Sequence, residues 1–196
     1  METNSVRCLI NSISLFIHLV SCQKMKLMPV EEAYRIMVVV LKLLKPLLDE
    51  VVDYKIPFDE ILYKECEELD VSVNEAQELM ENWRPKMSKI YSVLQSKSFP
   101  MKMISSSLNI CHILYRLLES SPSTSSMNDV QHCIQQIKCL KQERIAEDIE
   151  EVLRSQRDGV LPFTNNLIKV IESLNLTSNQ ELLRESVAIE EARKNA

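Results

Sequence analysis

Glycine is almost missing from this chain: Gly159 stands alone among 196 residues. Sheets and tight hairpins draw on glycine, and a phosphate-cradling loop requires it. The composition therefore excludes a nucleotide loop and points to a nearly all-α fold. Long apolar runs are lacking too. The one fairly apolar N-terminal stretch, residues 8–22, is interrupted by Asn11, Ser12, Ser14 and His18. It falls short of the roughly 20 residues that a bilayer-spanning helix needs. Glu2 also offsets Arg7 in what would be the charged region of a signal peptide, so a buried first helix is expected instead. An excess of positive charge is absent as well. The net charge is −5, which argues against a nucleic-acid binder.

Six cysteines are present, Cys8, Cys22, Cys66, Cys111, Cys133 and Cys139, but none of them makes a Cys-x-x-Cys pair. None is flanked by histidine at metal-ligand spacing, so no metal site is expected. Cys66 and Cys111 fall on apolar stripes, as reduced core thiols do, which indicates the cytosol or nucleus. The histidines offer no catalytic pair. His18 lies in an apolar helix, and Cys111-His112 and His132-Cys133 are sequence neighbours, which point about 100° apart on a helix. No catalytic residue and no cofactor is expected. The Asn175-Leu176-Thr177 sequon reads as chance in a cytosolic protein.

What the chain does have is a regular seam. From Leu62 the apolar positions Cys66, Leu69, Val73, Ala76, Met80, Trp83, Met87, Ile90 and Leu94 follow in alternating steps of four and three. This spacing keeps one stripe of an α-helix against partner helices. Residues 59–81 carry nine acids against the single base Lys64, whereas residues 83–118 carry six bases and no acid. The two segments could pair within a bundle, or one could be an exposed docking patch. The clustered carboxylates read as a solvated face rather than an acid–base pair.

Around this seam the expected helices are Ser5–Ser21, then one opened by Pro29 that continues through Pro46 with a kink near Lys42–Lys45. The third starts at Pro57, Asp59 and Glu60 and ends near Asn82–Arg84, with 86–96 as a shorter continuation. A fourth spans Met101–Glu119 on a stripe of Met101, Ile104, Leu108, Cys111, Tyr115 and Leu118. Ser120–Asp129 is the clearest loop, followed by one long helix, Asp129–Arg157, with a slip in its stripe at Lys141–Arg144. Gly159 and Pro162 read as its C-cap and stop. Phe163, Leu167, Ile171 and Leu174 point inward in the next helix. Ser178 to Glu181 forms a capping box for the last, which carries Leu182, Leu183, Val187 and Ile189 before a linker-like EEARKNA.

The fold class is thus all-α: an antiparallel four-helix-bundle core with additional C-terminal helices, about seven in all. A single domain is expected over 1–196, with the core in 1–120, a long helix over 127–158 and C-terminal helices over 163–196. Two features could carry binding. The serine-rich loop offers Ser120, Ser121, Ser123, Thr124, Ser125 and Ser126 as phosphate acceptors, which would dock on a basic segment and be repelled by an acidic one. Glu65, Glu68, Glu75, Arg84, Lys86 and Lys89 form the candidate charged docking face. Trp83, the only tryptophan, falls on the seam, where core packing is the first reading and an interaction hot spot the second.

Several stretches resemble the N-terminal domain of plant U-box ubiquitin ligases that also carry armadillo repeats. They are LKLLKPLLDEVVD (41–53), ECEELDVSVNEAQELMENWRPKMSKIYSVLQ (65–95), SLNICHILYRLLESSPS (107–123) and LNLTSNQELLRESVAIEEARKNA (174–196), in order and nearly end to end. In that family the region is a helical module ahead of a linker, a U-box that recruits the ubiquitin-conjugating enzyme, and armadillo repeats. This sequence has no Cys-Pro-Ile start of a U-box and no armadillo array, so the family's enzyme-contacting residues map to nothing here. The resemblance implies a protein-interaction and regulatory module with no enzymatic activity of its own. Its partners would be ligase substrates or receptor-like kinases, in the cytoplasm, the nucleus or at the cytosolic face of the plasma membrane. The rival reading is a membrane-associating bundle in which Lys24, Lys26, Arg35, Lys42 and Lys45 meet anionic lipid.

Overall fold

The computed structural model describes residues 4–22, 30–54, 56, 59–120, 124–140, 145–157 and 165–195. Among these residues there is no strand. The helices are α1 (Asn4–Val20), α2 (Glu31–Asp53), α3 (Glu60–Asn82), α4 (Lys89–Ser96), α5 (Phe99–Glu119), α6 (Thr124–Lys138), α7 (Ile145–Arg157), α8 (Asn165–Ser173) and α9 (Asn179–Asn195).

Four of them make the core. α3 packs on α1 and α5, and α2 packs on the same two, so α2 and α3, consecutive in the chain, lie diagonally across the bundle. Tyr34 of α2 reaches over that diagonal. Fully buried, it stacks on Phe16 of α1 at 5.7 Å and donates its hydroxyl to the Ala76 carbonyl of α3 at 2.5 Å. Burial raises its pKa, so the hydroxyl stays a donor. α2 runs through Pro46 without interruption.

α3 follows its seam. Leu62, Cys66, Leu69, Val73, Ala76 and Met80 are all buried, and so is Trp83 just beyond the last turn. Asp59 caps the start, its side chain accepting the Leu62 N–H at 2.9 Å. Pro85 ends it. The residue before a proline, here Arg84, is pushed out of the helical region; the helix closes at Asn82, and Trp83 is already extended (φ −64°, ψ 140°). Met87 therefore leaves the seam and stands exposed, where the spacing expected it inward.

Other expectations need correction. α5 buries Phe99, Met103, Ser107, Ile110, Ile113 and Leu114 together with Cys111 of the expected stripe; Ile104, Leu108, Tyr115 and Leu118 of that stripe are half-buried against the core, and only its first member, Met101, is exposed. Thr124–Ser126 lie in the first turn of α6 rather than in a loop, since hydroxyl residues are at home at helix starts. Where a single helix over 129–157 was expected there are two, α6 ending at Lys138 and α7 starting at Ile145. The tail expected as linker is the last part of α9. Pro29, Pro57, Gly159, Pro162 and Phe163 lie outside the described residues.

The remaining helices pack outside this core: α6 on α5 and α2, α8 on α7, and α7 and α9 on each other and on α4. α8 ends in a Schellman turn, with the Leu176 N–H on Ile171 O (3.1 Å) and the Asn175 N–H on Glu172 O (3.1 Å). Asn175 takes the left-handed position, φ 51°, that this turn requires.

A candidate docking groove beside Trp83

The break at Pro85 builds an open concavity between α3 and α4. It holds about 650 Å³ and is lined by Glu75, Glu78, Leu79 and Asn82 of α3, by Trp83, Met87 and Ser88 of the connection, by Tyr91, Ser92 and Gln95 of α4, and by Phe99 of α5. Trp83 forms buried wall (3% exposed), whereas Met87 (46%) and Tyr91 (55%) form an open, apolar lip. The indole N–H of Trp83 is buried without an acceptor among the described residues, which is uncommon for a buried donor. Glu75 and Glu78 supply two carboxylates, and the lining contains no cation.

The start of α4 is clamped. Ser88 is its N-cap, with Oγ accepting the Tyr91 N–H at 3.1 Å. The same hydroxyl donates to Glu185 of α9 at 2.7 Å, and the Lys89 and Ile90 N–H groups donate to that carboxylate at 2.6 and 3.2 Å. Glu185 is only 4% exposed and acts as a second cap supplied from 95 residues or more along the chain. Lys89 Nζ donates to Leu174 O (3.0 Å) and lies 3.7 Å from Glu181. Glu181 in turn closes the capping box on Ser178, its carboxyl held below the ordinary range chiefly by the backbone N–H groups of Ser178 and Thr177.

The expected charged face is not one surface. Lys89 turns to α9, Glu75 enters the groove, and Glu65, half-buried, accepts from Asn109 at 3.4 Å. Arg84 donates to Glu81 O and Trp83 O, while Glu68 and Lys86 are exposed outside the groove. The basic residues Lys89 and Lys97 find acids on α9 and α7, Glu181 and Glu150, rather than on α3. Of the proposed phosphate acceptors, Ser120 caps the end of α5 and Ser126 is half-buried in α6. Thr124 and Ser125 begin α6, and Ser121 and Ser123 lie outside the described residues. Of the groove's lining, the sequence singles out only Glu75 as a docking residue and Trp83 as a possible hot spot, because the cleft forms only where the chain breaks and restarts. The signal that could have found it was Pro85 seven residues beyond Glu78.

Among the described residues no cluster of three or more His, Cys, Asp or Glu could hold a metal, and no helix is long and apolar enough to cross a membrane. Two cations of the rival lipid face are paired within their own helix, Arg35 with Glu31 (2.5 Å) and Lys45 with Asp49 (3.1 Å). Lys24 and Lys26 lie outside the described residues.

A family model described as the PUB2-like N-terminal domain matches residues 2–141, which include both long walls of the groove. The chain belongs to this family. U-box domain-containing protein 3 of Arabidopsis thaliana is 48% identical over 98% of this chain, a match that spans 26% of that protein. U-box domain-containing proteins 4 and 2 of the same plant are 37% and 30% identical over 96% and 100% of the chain, or 23% and 28% of their own lengths. The PUB2-like chain thus spans about a quarter of the curated relatives it matches. No solved structure matches it.

Proposed function

We propose that this PUB2-like domain is the protein-recognition module of a plant U-box ubiquitin ligase. It holds a substrate or a regulator such as a receptor-like kinase while a U-box elsewhere in the full-length protein recruits the ubiquitin-conjugating enzyme. The observation that carries this reading is the groove: an open cleft with an aromatic wall and a half-exposed Met–Tyr lip, on a family whose members are U-box proteins. These 196 residues alone should form no ubiquitin chains when mixed with activating and conjugating enzymes. Purified cytosolic domains of receptor-like kinases, offered one by one to the immobilised chain, provide the test. Tyr91→Ala combined with Met87→Ser lowers capture of a bound kinase domain about tenfold, the loss of one interface anchor. Leu183→Ser on the exposed side of α9 leaves it unchanged. Capture indifferent to the groove pair, or ubiquitin chains formed by the isolated chain, would sink the proposal.

A further inference from the structure

Resting on that recognition role, we infer that the occupant of the groove is a basic amphipathic α-helix, its apolar stripe on Trp83, Met87 and Tyr91 and its Lys or Arg residues toward Glu75 and Glu78. The two long walls carry the first part. α3 presents Glu75, Glu78, Leu79 and Asn82, and the α4 side presents Ser88, Tyr91, Ser92 and Gln95. Both rows run i, i+3, i+4, i+7, the spacing with which one helix faces another. Each row covers about two turns, roughly 10 Å, so the cleft matches two turns of a third helix laid between them. Ser88 and Ser92 are small, which lets a partner backbone approach closely. Strand addition would need an open sheet edge, and no strand exists among the described residues.

Charge carries the second part. Glu75 and Glu78 are exposed, enter no ion pair among the described residues, and face a lining without a cation. Glu67 and Glu68 lie farther along the same helix, also exposed. Lys89, the nearest base of α4, is drawn away to Leu174 O and Glu181. A cation above Tyr91 or Trp83 also gains from the ring faces.

Trp83 is the only tryptophan, so its emission reports the groove without labelling. The 196-residue chain is titrated with synthetic peptides of about 15 residues, the length at which an isolated helix becomes marginally stable. All carry Leu at i, i+3, i+4 and i+7, and the remaining surface is Lys in one, Glu in the second and Gln in the third. The Lys peptide shifts Trp83 emission and binds with an affinity that falls with added salt. Glu75→Lys with Glu78→Lys weakens it about tenfold, as two partly screened pairs allow. Glu119→Lys is the charge control, about 30 Å from Phe99 at the other end of α5, and leaves binding unchanged. Equal or tighter binding of the Glu or Gln peptide overturns the partner chemistry and leaves the recognition role intact. A concentration-dependent dimer that Tyr91→Ala dissolves overturns it in favour of a second copy. No response from any peptide overturns it too, and if Tyr91→Ala with Met87→Ser then also spares kinase-domain capture, the recognition role falls with it.

Discussion

Glu185→Ala tests whether α9 holds α4 in place. The carboxylate takes three donors, Ser88 Oγ and the Lys89 and Ile90 N–H groups, in a position 4% exposed. Hydrogen bonds to a charged group contribute about 1.5–3 kcal/mol each, but burying the carboxylate offsets much of that. What remains is set by the donors left behind. Two backbone N–H groups at the first turn of α4 lose their partner, at about 1 kcal/mol each where water can reach them. The local opening free energy of α4 should therefore fall by about 2 kcal/mol, which is roughly 30-fold in the population of the open state. Native-state hydrogen exchange reads this directly: the amides of Lys89, Ile90 and Tyr91 exchange about 30-fold faster. Those of Leu69 in α3 and Ile110 in α5 keep their rates, because the four-helix core does not depend on the clamp. Glu185→Gln falls between, since its carboxamide keeps one acceptor and turns a donor against the others. Unchanged exchange at residues 89–91 in both variants would refute the capping role. Equal acceleration in α3 and α5 would show that the clamp belongs to the global fold.

Leu69→Asp places an unpaired charge at a fully buried seam position, and a far-UV circular dichroism melt should show no cooperative transition; an ordinary melt would mean the seam is not sealed. Under native conditions a thiol reagent should titrate Cys8, Cys22 and Cys139 quickly. Cys66, Cys111 and Cys133 should react only on unfolding. Burial, with Glu65 and Glu67 beside it, pushes the Cys66 thiol up to about 12, and Cys111 is raised by its 3.7 Å hydrogen bond to Cys133 and by burial. Fast modification of any of the three buried thiols would count against the packing. Glu181 has a depressed folded pKa, so its contribution to α9 is present above the unfolded carboxylate value and lost as pH falls through the folded one. Exchange of the first α9 amides should accelerate on that descent in the native chain and not in Glu181→Gln; identical profiles would dismiss the cap.

The parts legible in the sequence are those whose signal is local. α3 could be read because an unbroken four-three spacing, an Asp N-cap and a following proline all agree, and each acts within a turn or two of its own position. The Ser178–Glu181 box was legible for the same reason, and both of its bonds are present, Glu181 N–H to Ser178 Oγ at 3.1 Å and Ser178 N–H to Glu181 at 3.2 Å. α5 was read only in part, through Cys111 and its half-buried neighbours, because its apolar residues allow two overlapping stripes. Only the neighbouring helices decide that Met103, Ile110 and Leu114 turn inward while Met101 faces water. α9 inverts the usual pattern altogether. Leu183 is 68% exposed and Glu185 is buried, because what anchors this helix is a set of donors at the start of α4, about a hundred residues earlier and without any local trace.

The groove shows the same division between local cause and distant consequence. Had α3 continued, Met87 would stand seven residues beyond Met80 on the same face and would be sealed in the core. Pro85 prevents this. Stopping α3 at Asn82 leaves Trp83 as the last buried residue before the break and releases Met87 to the surface. The chain must then restart, and Ser88 caps α4 with its Tyr91 face left open beside α3 while α7 and α9 cover other sides. The clamp at Glu185 fixes that restart from outside the groove, so the width of the cleft depends on α9 remaining docked. A partner helix entering between α3 and α4 and α9 gripping the start of α4 therefore act on one short connection, residues 83–88, from opposite sides. Loosening that grip by Glu185→Ala should weaken peptide binding even though Glu185 does not line the groove. Unaltered affinity in a variant whose α4 amides exchange faster would show that the cleft keeps its shape without the clamp.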